Sequence, residues 1–193
     1  MTDPVRILGI DPGLNTTGYA VVEVLDAGPK MLEAGIIKSA ERRATADMAP
    51  RLKAIYDGVL EVIDQFHATD LSVEQLYAHY DHPRTAILMA HARGAILLAG
   101  GQRDLVVASY AATQIKKAVT GSGRAGKEQM QLAMLREFGL SEMPEPNDVA
   151  DALAIALCHY HLRSAVSDQR SAKQGTGVRL SALDPNGEDS LVG

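Results

Sequence analysis

The chain has 193 residues, 46% of them hydrophobic and 22% charged, with a net charge of −5. That length and balance suit one globular domain with a real core and exclude a disordered or membranous chain. No stretch reaches the ~18 uncharged apolar residues of a membrane span, and the acidic total excludes a generally basic nucleic-acid coat while leaving room for a local patch. Cys158 is the only cysteine, so no disulfide can form within the chain and a reducing cytoplasm is the expected setting. It lies in an Ala/Leu-rich run and reads as a small core residue. The opening MTDPVRILG lacks the basic-then-apolar layout of a secretory leader.

Three strand-like runs come first, over residues 5–10, 18–24 and 32–38, and their short polar connections predict an antiparallel meander. Residues 41–47 read as a loop. From Met48 to Phe66 the apolar set Leu52, Ile55, Tyr56, Val59, Ile63 and Phe66 follows helical spacing. A strand is expected over 70–75, ending on acid at Glu74, then a polar and aromatic loop over 78–83. A long Ala/Leu/Met-rich helix over 85–100 carries Arg93 and Gly94. A short strand over 105–109 and a helix over 111–119 precede a glycine-rich break at Gly121, Gly123 and Gly126. Helical spacing resumes over 127–137 and again over 148–163. From Ser164 onward Ser, Gly, Asp and Gln dominate, so the folded unit is expected over 1–163 and a disordered tail over 164–193. The order predicts an α/β domain, a mixed five-stranded sheet with helices on both faces.

Four carboxylates stand out within this order. Asp11 ends the apolar run Ile7–Ile10 just before Pro12 and Gly13, and Glu74 ends a second apolar strand. A carboxylate at the end of a buried strand is expensive to desolvate unless something positive compensates it. Bracing of the turn with Asn15, Thr16 and Thr17 is the structural alternative for Asp11. Asp148 and Asp151 are spaced i, i+3 and share a helix face. Asp148 alone is explained by the favourable N-terminal position, worth ~0.3–1 kcal/mol. Asp151 sits among Val149, Ala152, Leu153 and Ile155, with no Lys or Arg one turn away on its own helix. Clustered hard oxygen donors suit Mg²⁺ or Mn²⁺, and two such ions a few ångströms apart would serve phosphodiester hydrolysis.

Between residues 103 and 136 six basic residues face two acids, a local surplus of four positive charges in an acidic chain. Lys116, Lys117, Arg124 and Lys127 flank the glycine break, whose amides could also meet phosphate. A solvated face is the plain alternative, but a cationic segment beside an acid cluster favours a polyanionic substrate. A rival zinc site at His79, Asp81, His82 and His91 lacks cysteines and firm ligand spacing. A kinase- or actin-like reading of the DPG turn needs a second phosphate loop that the chain does not display.

In this order the segments ILGIDPG, TGYAVVE, SVEQLY, AHARGA, TQIKKAVTGSGRAGKEQMQ and PNDVADALAIALCH resemble the RuvC Holliday-junction resolvases, over residues 6–161. The resemblance implies an RNase H-like fold and an endodeoxyribonuclease that cuts two opposed strands of a four-way junction in recombination and repair, leaving 5′-phosphate and 3′-hydroxyl ends. It makes Asp11, Glu74, Asp148 and Asp151 the catalytic acids and metal ligands. It implies Mg²⁺, with Mn²⁺ as substitute and two ions per subunit. It puts Lys116 and Lys127 on DNA-contacting positions, with Lys117 and Arg124 beside them, and Tyr77 where an aromatic stacks on a junction base. A homodimer pairing through the 85–100 helix, the branch-migration partners RuvA and RuvB, and a cytoplasmic setting follow from the same resemblance.

Overall fold

The computed structural model describes residues 4–39, 47–76 and 83–174. The elements run β1 (Arg6–Asp11), β2 (Thr16–Leu25), β3 (Gly28–Lys38), α1 (Met48–Phe66), β4 (Asp70–Glu74), α2 (Pro83–Gln102), β5 (Val106–Tyr110), α3 (Ala112–Thr120), α4 (Lys127–Phe138) and α5 (Asn147–Gln174). The sheet order is β3-β2-β1-β4-β5. The first three strands form the expected antiparallel meander, and β4 and β5 add in parallel on the far side of β1. The turn Asp26-Ala27 closes the β2–β3 hairpin, with Gly28 at φ 123°, a conformation that favours glycine.

Side-chain alternation along the strands builds two layers. Leu8 and Ile10 of β1, Val21 of β2 and Leu71 of β4 pack with Ile55, Val59 and Ile63 of α1 and with Ala92, Ile96 and Ala99 of α2. The other face carries Ile7, Ala20 and Val22 against Ala152, Leu153 and Ala156 of α5. Ala108 and Tyr110 of β5 meet α3, α4 and the lower part of α5 on that same face. Each fully buried Ile or Leu contributes roughly 1.5–3 kcal/mol, and this aromatic-poor core is assembled from many such pieces. Cys158 is fully buried among them, and burial pushes its thiol up to about 12.

Small residues let α5 lie low on the sheet. A Cβ on Gly9 would stand 2.4 Å from the Ala152 carbonyl oxygen, and one on Gly18 would stand 2.0 Å from that of Asp148. Gly9 and Gly18 are thus sites of close backbone approach, and they bring the start of α5 down onto the end of β1.

Helix α1 spans the expected residues, with Asp47 accepting from the Ala49 amide at its N-terminus and His67 left-handed at its end. Helix α5 does not stop at Arg163 as expected but continues to Gln174. Loss of apolar periodicity removes a packing face, yet 164–174 contains neither glycine nor proline, and the first helix breaker is Gly175. Most of the loop expected over 41–47, and that over 78–83 up to residue 82, lie outside the described residues. No helix among the described residues is long and apolar enough to cross a membrane.

Candidate active site

Asp11 is the last residue of β1, paired with Gly18 across the β1–β2 ladder. It shares its face with Ile7 and Gly9, the face that α5 covers. The turn that follows is held by the Thr17 hydroxyl donating to the Gly13 carbonyl at 2.8 Å and by Arg51 of α1 donating to the Leu14 carbonyl at 3.2 Å and to Asn15 Oδ1. Among the described residues the turn is built without the Asp11 carboxylate, so bracing does not account for this acid. Glu74 ends β4, two strands' width from β2 and beside β1. Asp148 lies in the first turn of α5 and Asp151 one turn on.

These four acids lie near enough for Asp151, Glu74 and Asp148 all to act on Asp11 through their charges. Burial, then the charges of Asp151, Glu74 and Asp148, push Asp11 up from the ordinary aspartate value to about 7. Burial and Asp151 raise Glu74, against a lowering by Lys116. Burial and Asp148 raise Asp151, against a lowering by Lys127. Like charges in a partly desolvated site disfavour ionisation in this way.

The lysines are a correction to the picture of an acid cluster without neutralising bases. No base lies one turn from Asp151 on its own helix, but Lys127 reaches its field from α4, and Lys116 reaches Glu74 from α3. Long-range packing of α3 and α4 beside α5 makes this meeting, which helical spacing cannot show. The two lysines, Glu74 and Asp151 line a groove of about 400 Å³, walled by Ile115, Met130, Met134 and Ile155. Lys127 Nζ donates to Asn147 Oδ1 at 3.3 Å across it, giving Asn147 a place that sequence reasoning did not assign. Lys117 and Arg124 are exposed and do not line the groove. Tyr77, and His79, Asp81 and His82 of the rival zinc reading, lie outside the described residues. His91 Nδ1 stands 2.7 Å from the carbonyl of Ile87 on its own helix.

Among the described residues no group of three or more His, Cys, Asp or Glu side chains is drawn into a coordination shell. The fit of a dication therefore rests on the donors themselves. Four hard carboxylates lie within one another's field, and three of them are held above their usual range by burial and by neighbouring carboxylates. That is the donor chemistry a small hard cation neutralises.

Comparison with known proteins extends the same reading. Residues 7–159 match the family model of crossover junction endodeoxyribonuclease RuvC. The chain is 51% identical over 169 residues to the crossover junction endodeoxyribonuclease RuvC of Rhodopirellula baltica, covering 86% of this chain and 92% of that one. The structure of Thermus thermophilus RuvC superposes with a TM-score of 0.75 at 32% identity, covering 83% of this chain and 96% of that one. T. thermophilus RuvC in complex with Holliday junction substrate matches with the same score and identity, covering 84% and 97%. The sheet and its layers are therefore RNase H-like, and by sequence and fold together the chain belongs to the RuvC family of crossover junction endodeoxyribonucleases.

Proposed function

We propose that the protein resolves four-way DNA junctions in recombination and repair by metal-dependent hydrolysis of phosphodiesters in two opposed strands. The observation that carries this reading is the convergence of Asp11, Glu74 and Asp151, with their raised ionisation, beside a groove lined by Lys116 and Lys127. Asp11, Glu74, Asp148 and Asp151 are the residues that would hold Mg²⁺, with Mn²⁺ as substitute and two ions per subunit. A bound dication supplies an activated water and stabilisation of the leaving oxygen. The chain's own residues orient the strand: Lys116 and Lys127 meet its phosphates, and the Ile115, Met130 and Met134 wall limits water on the protein side of the groove. Lys117 and Arg124 extend the basic surface, and Tyr77 stacks on a junction base.

A two-fold substrate calls for a two-fold enzyme. Helix α2 presents Ile87, 58% exposed, and Leu98, 61% exposed, with His91 and Gly94 between them on one face. Two exposed aliphatic side chains on one face of a helix that packs its other side support pairing of two copies through α2. RuvA and RuvB as partners and a cytoplasmic setting fit a family member of this kind. We take residues 1–163 as the nuclease domain and 164–193 as a tail, a reading supported by Tyr160 and Leu162 packing on the core.

The deciding experiment incubates the protein with Mg²⁺ and either a synthetic four-way junction or a linear duplex of matched sequence. Paired nicks in opposed strands of the junction, with the duplex intact, are expected. Equal cutting of both, or of neither, overturns the proposal.

A further inference from the structure

The segment AHARGA resembles the family's but has no role in the site described so far. Its arginine, Arg93, leaves α2 on the far side of the sheet and reaches the end of β4. Arg93 Nε donates to the carbonyl oxygen of Glu74 at 3.1 Å, and Nη2 donates to the hydroxyl of Ser109 on β5 at 2.7 Å. Both acceptors are uncharged. The guanidinium does not figure among the charges that shift the Glu74 carboxylate, which are those of Asp151 and Lys116. Arg93 therefore acts on the main chain of Glu74 and not on its charge.

The sheet explains why Glu74 needs such a hold. The β1–β4 ladder ends at Ile10 opposite Val73, whereas the β4–β5 ladder continues to Glu74 opposite Tyr110. Glu74 is thus paired on one side only, at the end of a five-residue strand. Asp11 is likewise paired on one side only, but its partner Gly18 belongs to a ten-residue strand. Beyond Glu74, the Gln75 amide donates to the Tyr110 carbonyl at 2.9 Å, and its side-chain Nε2 donates to the Ser109 carbonyl at 3.2 Å. Ser109 is a shared post, gripped by Gln75 at its carbonyl and by Arg93 at its hydroxyl.

We propose that Arg93 is a positioning residue for Glu74: by bonding the Glu74 carbonyl and the Ser109 hydroxyl at once it clamps the end of β4 to β5, fixes where the Glu74 side chain leaves the strand, and so sets the affinity of the acid cluster for a divalent cation. The inference rests on the metal-dependent reading of that cluster. The fixed fork of the guanidinium spans two acceptors at once, which a lysine ammonium on a flexible stem does not reproduce.

The test compares wild type, Arg93→Gln and Arg93→Lys by titrating Mg²⁺ into the metal-free protein and following heat or the melting midpoint, with junction cleavage measured alongside. Arg93→Gln is expected to keep metal-free melting within a few degrees and to need roughly tenfold more Mg²⁺ for half-saturation, as loss of an orienting partner does at other metal sites. Cleavage should fall in step and recover at high Mg²⁺, and Arg93→Lys should lie between. Unchanged Mg²⁺ titration in Arg93→Gln overturns the inference even if wild type cleaves junctions. If Arg93→Gln fails to fold, the lysine variant decides: folded with wild-type metal affinity, it overturns the proposal. Wild type that binds Mg²⁺ but cuts no junction counts against the resolvase reading and leaves the Arg93 comparison standing.

Discussion

Two carboxylates on one face of β4, four residues apart, live under opposite electrostatics. Glu74 at the end of the strand is raised by burial and by Asp151. Asp70 at its start is lowered: burial alone would raise it, but hydrogen bonds from His159 and Thr69 and the charges of His159 and Arg163 outweigh that. His159 is fully buried, with Nε2 2.9 Å from Asp70 Oδ2 and Nδ1 2.7 Å from the Tyr110 hydroxyl. An ionised Asp70 can only accept, so Nε2–H donates to it, and the ring bridges Asp70 to the Tyr110 hydroxyl. The same helix, α5, supplies His159 to the satisfied end and Asp151 to the repelling end, two turns away. One end of this layer is polar in order to hold the fold together. The other end gathers carboxylates that repel one another, tempered by Lys116 and Lys127, at a cost in stability.

The sharpest way to break the contrast is to neutralise the repelling end. Asp11→Asn should lower single-turnover junction cleavage by ~10³ or more, since losing a metal ligand removes several kcal/mol of transition-state stabilisation and each ~1.4 kcal/mol is tenfold. Junction binding without metal should survive or tighten, because a charge that repels phosphate is gone. Stability supplies a second readout with a definite sign. Folded Asp11 titrates at about 7 and the unfolded residue near the ordinary value of 3.8. Between those values the folded protein binds more protons, so metal-free stability falls as pH rises, and the loss is complete once pH passes the folded value. Asp11→Asn should therefore flatten the melting profile between pH 5 and pH 8, melt higher than wild type at the alkaline end without metal, and respond less to added Mg²⁺. Near wild-type cleavage by both Asp11→Asn and Asp151→Asn would sink the metal-cluster mechanism.

At the satisfied end the same kind of change should do the reverse. His159→Ala strands the Asp70 carboxylate and the Tyr110 hydroxyl in the interior and leaves a cavity. Breaking a buried polar pair from one side costs about 3–5 kcal/mol, which for a domain of this size lowers the melting midpoint by roughly ten degrees. Cleavage measured well below that midpoint should stay within a few-fold of wild type. Asp70 also carries the opposite pH sign to Asp11, because its lowered carboxyl contributes stability above the ordinary aspartate range that is lost as pH falls through the folded value. A melting midpoint that does not move in His159→Ala would mean the network holds nothing.

Much of the repelling end was legible in the sequence, because each acid interrupts a local pattern: Asp11 and Glu74 end apolar runs, and Asp151 breaks an apolar helix face. The meander, α1 and the five strands were legible for the same reason, since periods of 2 and 3.6 are local signals. The satisfied end was not. His159 meets Asp70 across 89 residues and Tyr110 across 49, and a histidine in ALCHYH looks the same whether buried or exposed. Arg93 on Glu74 and Lys127 facing Asp151 are likewise products of packing between elements. The length of α5 was misread for a different reason: an amphipathic pattern marks where a helix is buried, not where it ends.

The smallest expected effect concerns the lysines that stand between the two readings of the acidic end. Lys116 and Lys127 either temper Glu74 and Asp151 or meet the DNA backbone, and the two roles separate by salt. A phosphate contact releases counterions, so each lysine lost should remove roughly 0.9 from the slope of log affinity against log salt. Lys116→Ala and Lys127→Ala should each weaken junction binding several-fold at low salt and converge on wild type as salt rises. A lysine that serves only as counter-charge predicts something else: removing it lets the neighbouring carboxyl rise further, shifting the pH at which Mg²⁺ binds while leaving the salt slope alone. Lys127 also donates to Asn147, so Asn147→Ala separates tethering from contact by freeing the ammonium without removing it. Binding isotherms at four or five salt concentrations for these three variants decide the matter, and unchanged slopes in both lysine variants would mean that the groove holds its cations for the acids alone.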